Sequence, residues 1–274
     1  MLLLCFITLY PFLYVLFASL SDPTAVSQHR GLLFWPQSLQ WESYKMVFNN
    51  PMIKSGYQNT LLYVGAGTAI NLFFTALGAY VLSRKGFYFK NYMMFFIVIT
   101  MVFNGGLIPT FLLVNKLGML NTAWALLIPS AINTFNLIIM RTAFQNVPVS
   151  LEESAKIDGA NEWTILFRII IPLSMPVISV MILWYAVGHW NSYFSALIYL
   201  RSRELYPLQL VLREILVTNS TDSMMTGAGA ADKEPIGETI KYATIIISTL
   251  PILCLYPFLQ KYFVKGVMIG ALKE

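Results

Sequence analysis

The sequence predicts an all-α, polytopic membrane protein with six transmembrane helices, and three observations carry that prediction. Hydrophobic residues make up 57% of the 274-residue chain and charged residues only 11%, far below the roughly 25% of a soluble globular domain. Mean hydropathy is +0.64. The apolar residues also gather into runs of about 20, the length an α-helix needs to cross some 30 Å of hydrocarbon, with charges confined to the run ends.

The same composition excludes other classes. Cys5 and Cys254 are the only cysteines and both lie in apolar runs, so no disulfide scaffold is expected. The apolar excess is incompatible with disorder. A net charge of +5 is compatible with nucleic-acid binding, but the 18 Lys and Arg are scattered and form no basic block. They read as membrane-flanking charges.

The first span, Met1 to Leu20, lacks a basic leader and a small-residue cleavage site, so it is expected to be a retained helix; any cytosolic segment ahead of it is missing or minimal. The others are 57–82, 92–114, 122–143, 173–199 and 239–262, together forming a single transmembrane domain over 1–274. Two long connections, 21–56 and 200–238, fall on one side of the membrane. Placing the N-terminus in the cytosol divides the counted Lys and Arg evenly between the sides, so the short loops must decide. Loop 83–91 carries Arg84, Lys85 and Lys90, whereas loop 115–121 carries Lys116 alone. Both termini are therefore expected in the cytosol.

Reactive groups are scarce. His29 and His189 share no ligand spacing with the cysteines, and no HExxH or GxSxG motif is present. Gly65 and Gly67 read as packing glycines rather than as a nucleotide fingerprint. Without a GxxxxGK[ST] loop the chain is expected to hold no ATP of its own, so its energy comes from a gradient or another subunit. No charged residue sits well inside a span, which removes the usual residues of ion coupling. Neutral polar groups do occur there: Asn71, Asn104, Asn133, Asn136, His189, Asn191, Ser192 and Ser195. They either join helices or line a route for a polar solute.

The connection 144–172 is too polar to span and too patterned for a plain loop. Ser150 and Glu153 have the spacing of a capping box. A short helix from Leu151 to about Asp158 is expected to stop at Gly159, and a second from Glu162 to about Ile171 leads to Pro172. Leu151, Ala155 and Ile157 or Asp158 share a face, forming a compact knob suited to docking on another protein. A lipid-surface connector is the bland alternative. Glu152, Glu153, Asp158 and Glu162 outnumber Lys156 and Arg168, a balance that anionic lipid would repel.

Glu153-Ser154-Ala155, then Gly159, then Ile169-Ile170-Ile171-Pro172 resembles the EAA signature of the membrane permeases of ATP-binding-cassette importers, with Ser154 and Ile171 as mild departures. Tyr57 to Leu61, His189 to Tyr193 and Gln260 to Gly266 extend the resemblance over nearly the whole chain, toward the carbohydrate-uptake permeases of the maltose type. Residues 105–129, 143–161 and 205–216 look most like the lipoprotein-dependent branch that imports polysaccharide fragments, including uronate-rich oligosaccharides.

The resemblance implies the type I importer fold, with a cytosolic coupling helix between spans 4 and 5. Glu152, Glu153, Ser154, Ala155, Asp158 and Gly159 form that coupling set; Glu153 faces the ATPase, and Gly159 is the turn that lets the loop enter its cleft. Trp190, Asn191 and Tyr193, with Asn59, Asn104 and Asn133, are candidates for a translocation path, where rings stack on sugar C–H faces and amides meet hydroxyls. Helix packing competes for each of them.

The expected partners are a second, homologous permease, two ATPase subunits holding ATP and Mg, an extracytoplasmic solute-binding protein, an oligosaccharide and membrane lipid, with no nucleic acid. The expected location is the bacterial inner membrane. The tail 263–274 is a further ATPase contact, and the Asn219-Ser220-Thr221 glycosylation triplet is read as chance. A gradient-driven sugar carrier is the alternative; it leaves the 150–159 helix unexplained. A polytopic membrane enzyme ranks third, for want of any catalytic constellation.

Overall fold

The computed structural model describes residues 1–29, 31–84, 86–217 and 236–254, apart from the side chain of Leu2. Expectations for Lys85, the 219–221 triplet, the 260–266 motif, the end of the sixth span and the tail 263–274 lie outside the described residues.

The described residues are helical, with no strand among them. In chain order the helices are α1 (Leu2–Ser19), α2 (Pro23–Gln28), α3 (Glu42–Asn49), α4 (Pro51–Ser83), α5 (Lys90–Val102), α6 (Leu107–Lys116), α7 (Trp124–Leu127), α8 (Thr134–Gln145) and α9 (Val149–Ile157). There follow α10 (Glu162–Ile165), a π turn (Leu166–Ile170), α11 (Ile171–Leu173), α12 (Met175–Trp190), α13 (Phe194–Tyr199) and α14 (Leu208–Val217). The last described helix is α15 (Ile236–Cys254).

Among the described residues, two helices, α4 and α15, are by themselves long and apolar enough to cross a membrane. At 1.5 Å per residue the 33 residues of α4 reach about 50 Å, longer than the hydrocarbon core.

Three runs expected to be straight are broken. Run 92–114 becomes α5 and α6, which meet at 113° around Asn104 to Gly106. Run 122–143 divides into α7 and α8 at Pro129, whose missing N–H and fixed φ end a helix. The stretch 162–173 turns by 87° into α12 at Ser174, between Pro172 and Pro176, and run 173–199 breaks again at 191–193, between α12 and α13. Apolarity sets the length of each run, but proline and backbone turns set its direction.

The described residues form two compact units, drawn from within Met1–Thr60, Ser192–Leu197 and Ser202–Tyr256 and from within Leu61–Asn191 and Ile198–Arg201. In the first, Ala18, Val26 and Leu33 pack with Tyr14, Phe17 and Tyr242. Polar contacts join its helices: Thr60 Oγ1 of α4 accepts from the Leu208 amide of α14 at 2.8 Å, and Ser43 of α3 donates to Thr239 of α15 at 3.0 Å. In lipid such contacts and close packing must replace the hydrophobic drive between helices.

The second unit packs Ala76 and Ala79 of α4, Met140 and Phe144 of α8, Ile165, Leu166 and Ile170, and Met181 and Tyr185 of α12 into one core. Two members of the expected Ile-Ile-Ile-Pro stretch, Ile169 and Ile171, border this core, and Ile170 is buried in it. Thr75 and Tyr185 share a buried hydrogen bond of 2.8 Å.

Candidate functional site

The site lies on the second unit, where α9 packs beside the C-terminal end of α4. Pro148, with φ −57° and ψ 131°, aims the chain into α9. The helix therefore starts at Val149 with no side-chain cap, and the expected Ser150–Glu153 capping box is not formed. Ser150 falls inside the first turn, too late to act as the cap.

The other end matches the expectation. Gly159 adopts φ +81°, with its amide bonded to the Lys156 carbonyl and the Ala160 amide to that of Ala155, at 3.1 and 2.9 Å. This is the paired Schellman closure that a left-handed residue permits. Asn161 then caps α10, its side chain accepting from the Thr164 amide at 2.8 Å.

The six residues expected to couple lie on α9 and in the turn that closes it, divided between two faces. Glu153, Ser154, Asp158 and Gly159 are exposed, with Ile157 protruding beside them at 87%. Ala155 is half-buried against the core. Glu152 is buried at 9% and turned inward, where Oε2 receives Arg84 Nη1 and Oε1 lies 3.0 Å from Lys156 Nζ.

Lys156 also reaches Glu162 at 3.0 Å, and Tyr80 donates its hydroxyl to the other oxygen of Glu162. The Tyr80 hydroxyl and the Lys156 ammonium hold the Glu162 carboxyl below the ordinary carboxylate range. Hydrogen bonds to Glu152 and Glu162 hold Lys156 above the usual lysine range. Arg84 and Tyr80 complete this cluster, although the sequence reading used Arg84 only as a loop charge and Tyr80 not at all. A signal was present: Tyr80 and Arg84 are spaced i,i+4, as are Glu152 and Lys156.

Beside this cluster lies a cavity of about 820 Å³, walled by Phe87, Phe144, Trp163 and Leu166 and rimmed by Lys90 and Glu153. Among the described residues, no group of three or more His, Cys, Asp or Glu gathers as a metal-ligand set.

The path candidates divide between the two units. In the first unit, Asn59 donates to the carbonyls of Glu204 and Tyr206 at 2.6 and 3.1 Å, and Tyr193 is exposed beside Phe194. In the second unit, Asn104 accepts from the Gly106 amide at 3.0 Å, within the bend between α5 and α6. Asn133 caps α8, accepting from the Asn136 amide at 3.1 Å. Trp190 is buried at 7%, and Asn191 ends α12 as an exposed cap residue. His189 and Asn71 bond at 2.6 Å, and Asn71 donates onward to the Ser130 carbonyl.

Comparison with known proteins places this geometry. The chain is 41% identical over its whole length, and over 95% of the relative, to the polygalacturonan/rhamnogalacturonan transport system permease protein YtcP of Bacillus subtilis. It is 42% identical to protein LplC of the same organism, over 97% of this chain and 90% of that one. Among solved structures, a chain of a bacterial ABC transporter involved in the import of the acidic polysaccharide alginate superposes with a TM-score of 0.87 and 34% identity, covering 95% of this chain and 92% of the other. Residues 73–269, which include α9 and Gly159, match the sequence profile of binding-protein-dependent transport system inner membrane components. The chain has the fold of an ABC importer permease and belongs to the family of binding-protein-dependent transport system inner membrane components.

Proposed function

We propose that this chain is one of two permease subunits of an importer that takes up acidic or otherwise complex oligosaccharides, delivered by a solute-binding protein and driven by separate ATPase subunits. The observation that carries the reading is the geometry of α9. It is a nine-residue helix closed by Gly159, and it leaves Glu153, Ser154 and Asp158 free while Glu152 anchors it from behind. A helix so presented suits a cleft in another protein better than an anionic lipid surface.

In this reading the chain crosses the membrane six times with both termini in the cytosol, and α9 is the coupling helix between spans 4 and 5. ATP binding draws two such helices together, and rigid-body motion of the paired permeases opens the path outward. Hydrolysis returns it inward. ATP and Mg sit in the partner subunits, and this chain performs no chemistry of its own. The names of the pectin- and alginate-related relatives support an acidic oligosaccharide as cargo. Asn59, Asn104, Asn133, Trp190, Asn191 and Tyr193 are the residues to examine along the path.

The test replaces Glu153 by Arg, alone and together with Gly159→Ala, in the full importer. ATPase co-purification and oligosaccharide uptake are expected to fall together. Unchanged assembly and uptake would sink the docking assignment, and uptake that survives ATP depletion but collapses with the proton or sodium gradient would favour a secondary carrier.

A further inference from the structure

We propose that Tyr80, Arg84, Glu152, Lys156 and Glu162 form a transmission brace that makes α9 and the end of α4 move as one body, with Arg84 as its central positioning residue. This rests on the reading of α9 as the ATPase-docking helix and adds the route by which its displacement enters the membrane.

The five side chains close a ring. Tyr80 donates to Glu162, Glu162 pairs with Lys156, Lys156 pairs with Glu152, Glu152 pairs with Arg84, and the Arg84 guanidinium lies 4.9 Å from the centre of the Tyr80 ring. Arg84 is held from every side. Besides Glu152 and Tyr80, its Nη2 donates to the Phe144 carbonyl at 3.0 Å and its Nε to Ser83 Oγ at 2.9 Å. One residue thus joins the ends of α4 and α8 to the buried carboxylate of α9.

Apolar surfaces can slide over one another with little change in energy, because the hydrophobic effect has no direction. A buried carboxylate held by two cations behaves differently, since any relative shift of α9 and α4 exposes an unpaired charge in a poorly hydrated place. The ring therefore fixes register. It is also distinct from the docking face, because the Glu153, Ser154 and Asp158 side chains pair with none of its members and stay exposed.

The receiving helix suits the role. The stretches 90–116 and 162–190 are bent by 113° and 87°, whereas α4 runs unbroken for 33 residues from Pro51 to Ser83. A push delivered at residues 80–84 travels along an unbroken helix as rigid displacement, not as bending.

The experiment uses the complete importer in nanodiscs with its binding protein and compares Arg84→Met, Arg84→Lys and Tyr80→Phe. The readouts are ATPase co-purification and sugar moved per ATP hydrolysed. Arg84→Met is expected to keep the ATPases bound while the transport ratio falls by about tenfold, the effect of a buried carboxylate left with the half-exposed Lys156 as its one cation. Arg84→Lys, which restores the charge without the fork, recovers much of the loss, and Tyr80→Phe shows a smaller fall. A ratio within about twofold of the parent for Arg84→Met overturns the brace, as does loss of ATPase binding by a well-folded Arg84→Met complex, which would make Arg84 a support of the docking face only. Should Arg84→Met not fold, Tyr80→Phe decides, because it removes one hydroxyl and an unchanged ratio rejects the brace. Glu153→Arg is run alongside; retained ATPase binding there refutes the docking reading whatever the brace variants do.

Discussion

Gly67 of α4 and His189 of α12 are in contact at a distance no side chain could share: a Cβ built on Gly67 would lie 2.6 Å from the imidazole Cε1 and closer still to Nε2. That same Nε2 bonds Asn71 at 2.6 Å, and Asn71 bonds the carbonyl of Ser130 in the break between α7 and α8. The missing side chain at position 67 therefore lets three segments of the second unit meet through one polar chain.

Gly67→Ala is accordingly expected to push the imidazole off Asn71 and to cost about 1–3 kcal/mol, in the manner of an overpacked core. Thermal unfolding in nanodiscs reads the loss. Combining Gly67→Ala with His189→Ala removes the clash, so the double variant should be more stable than the sum of the singles predicts. Strict additivity would mean that the contact carries no energy.

At Gly159 the cost has a different origin. No atom lies within 4 Å of a Cβ placed there, so Gly159→Ala meets open space and pays only for φ +81°, about 1–2 kcal/mol. Gly159→Asn should recover part of that, because Asn tolerates the left-handed region. Equal destabilisation by Ala and Asn, measured by thermal unfolding, would argue against a backbone cause.

The Glu162–Lys156 pair sets a pH window. Glu162 titrates below its ordinary 4.5, so its contribution is complete above that value and is lost as pH falls through the lowered one. Lys156 titrates above 10.5, so its contribution is complete below that value and is lost as pH rises through the raised one. The stability difference between the parent and Glu162→Gln should be flat across neutral pH and shrink at the acid end. Both groups are substantially exposed, so the difference should be small and salt-sensitive. A maximum near pH 4 would contradict this assignment.

Asn133 provides a check on the translocation path. Because it caps α8, Asn133→Ala should cost about 1 kcal/mol of stability, and Asn133→Ser should restore it. If uptake follows stability through both variants, Asn133 acts as a cap. Uptake lost in the stable Ser variant would instead give the amide a role in the path.

Much of this protein was legible residue by residue. The end of α9 at Gly159 and the second helix beginning at Glu162 follow from short-range chemistry, and the structure has them where the pattern put them. The start of α9 was misjudged because Pro148 and the inward pull of Arg84 on Glu152 outweigh a local capping preference. The breaks at 103–106, 128–133 and 191–193 were missed because a count of apolar residues carries no direction.

The sequence by itself determined the solvent in which this chain lives and the family to which it belongs. These depend on composition and on residues a few positions apart. The tertiary structure alone decided which of two neighbouring glutamates faces outward, and that Arg84 lies 68 residues before its partner Glu152 yet pairs with it. Such pairing depends on how α4, α8 and α9 pack, and packing in lipid is set by small residues, polar contacts and helix direction rather than by a pattern along the chain.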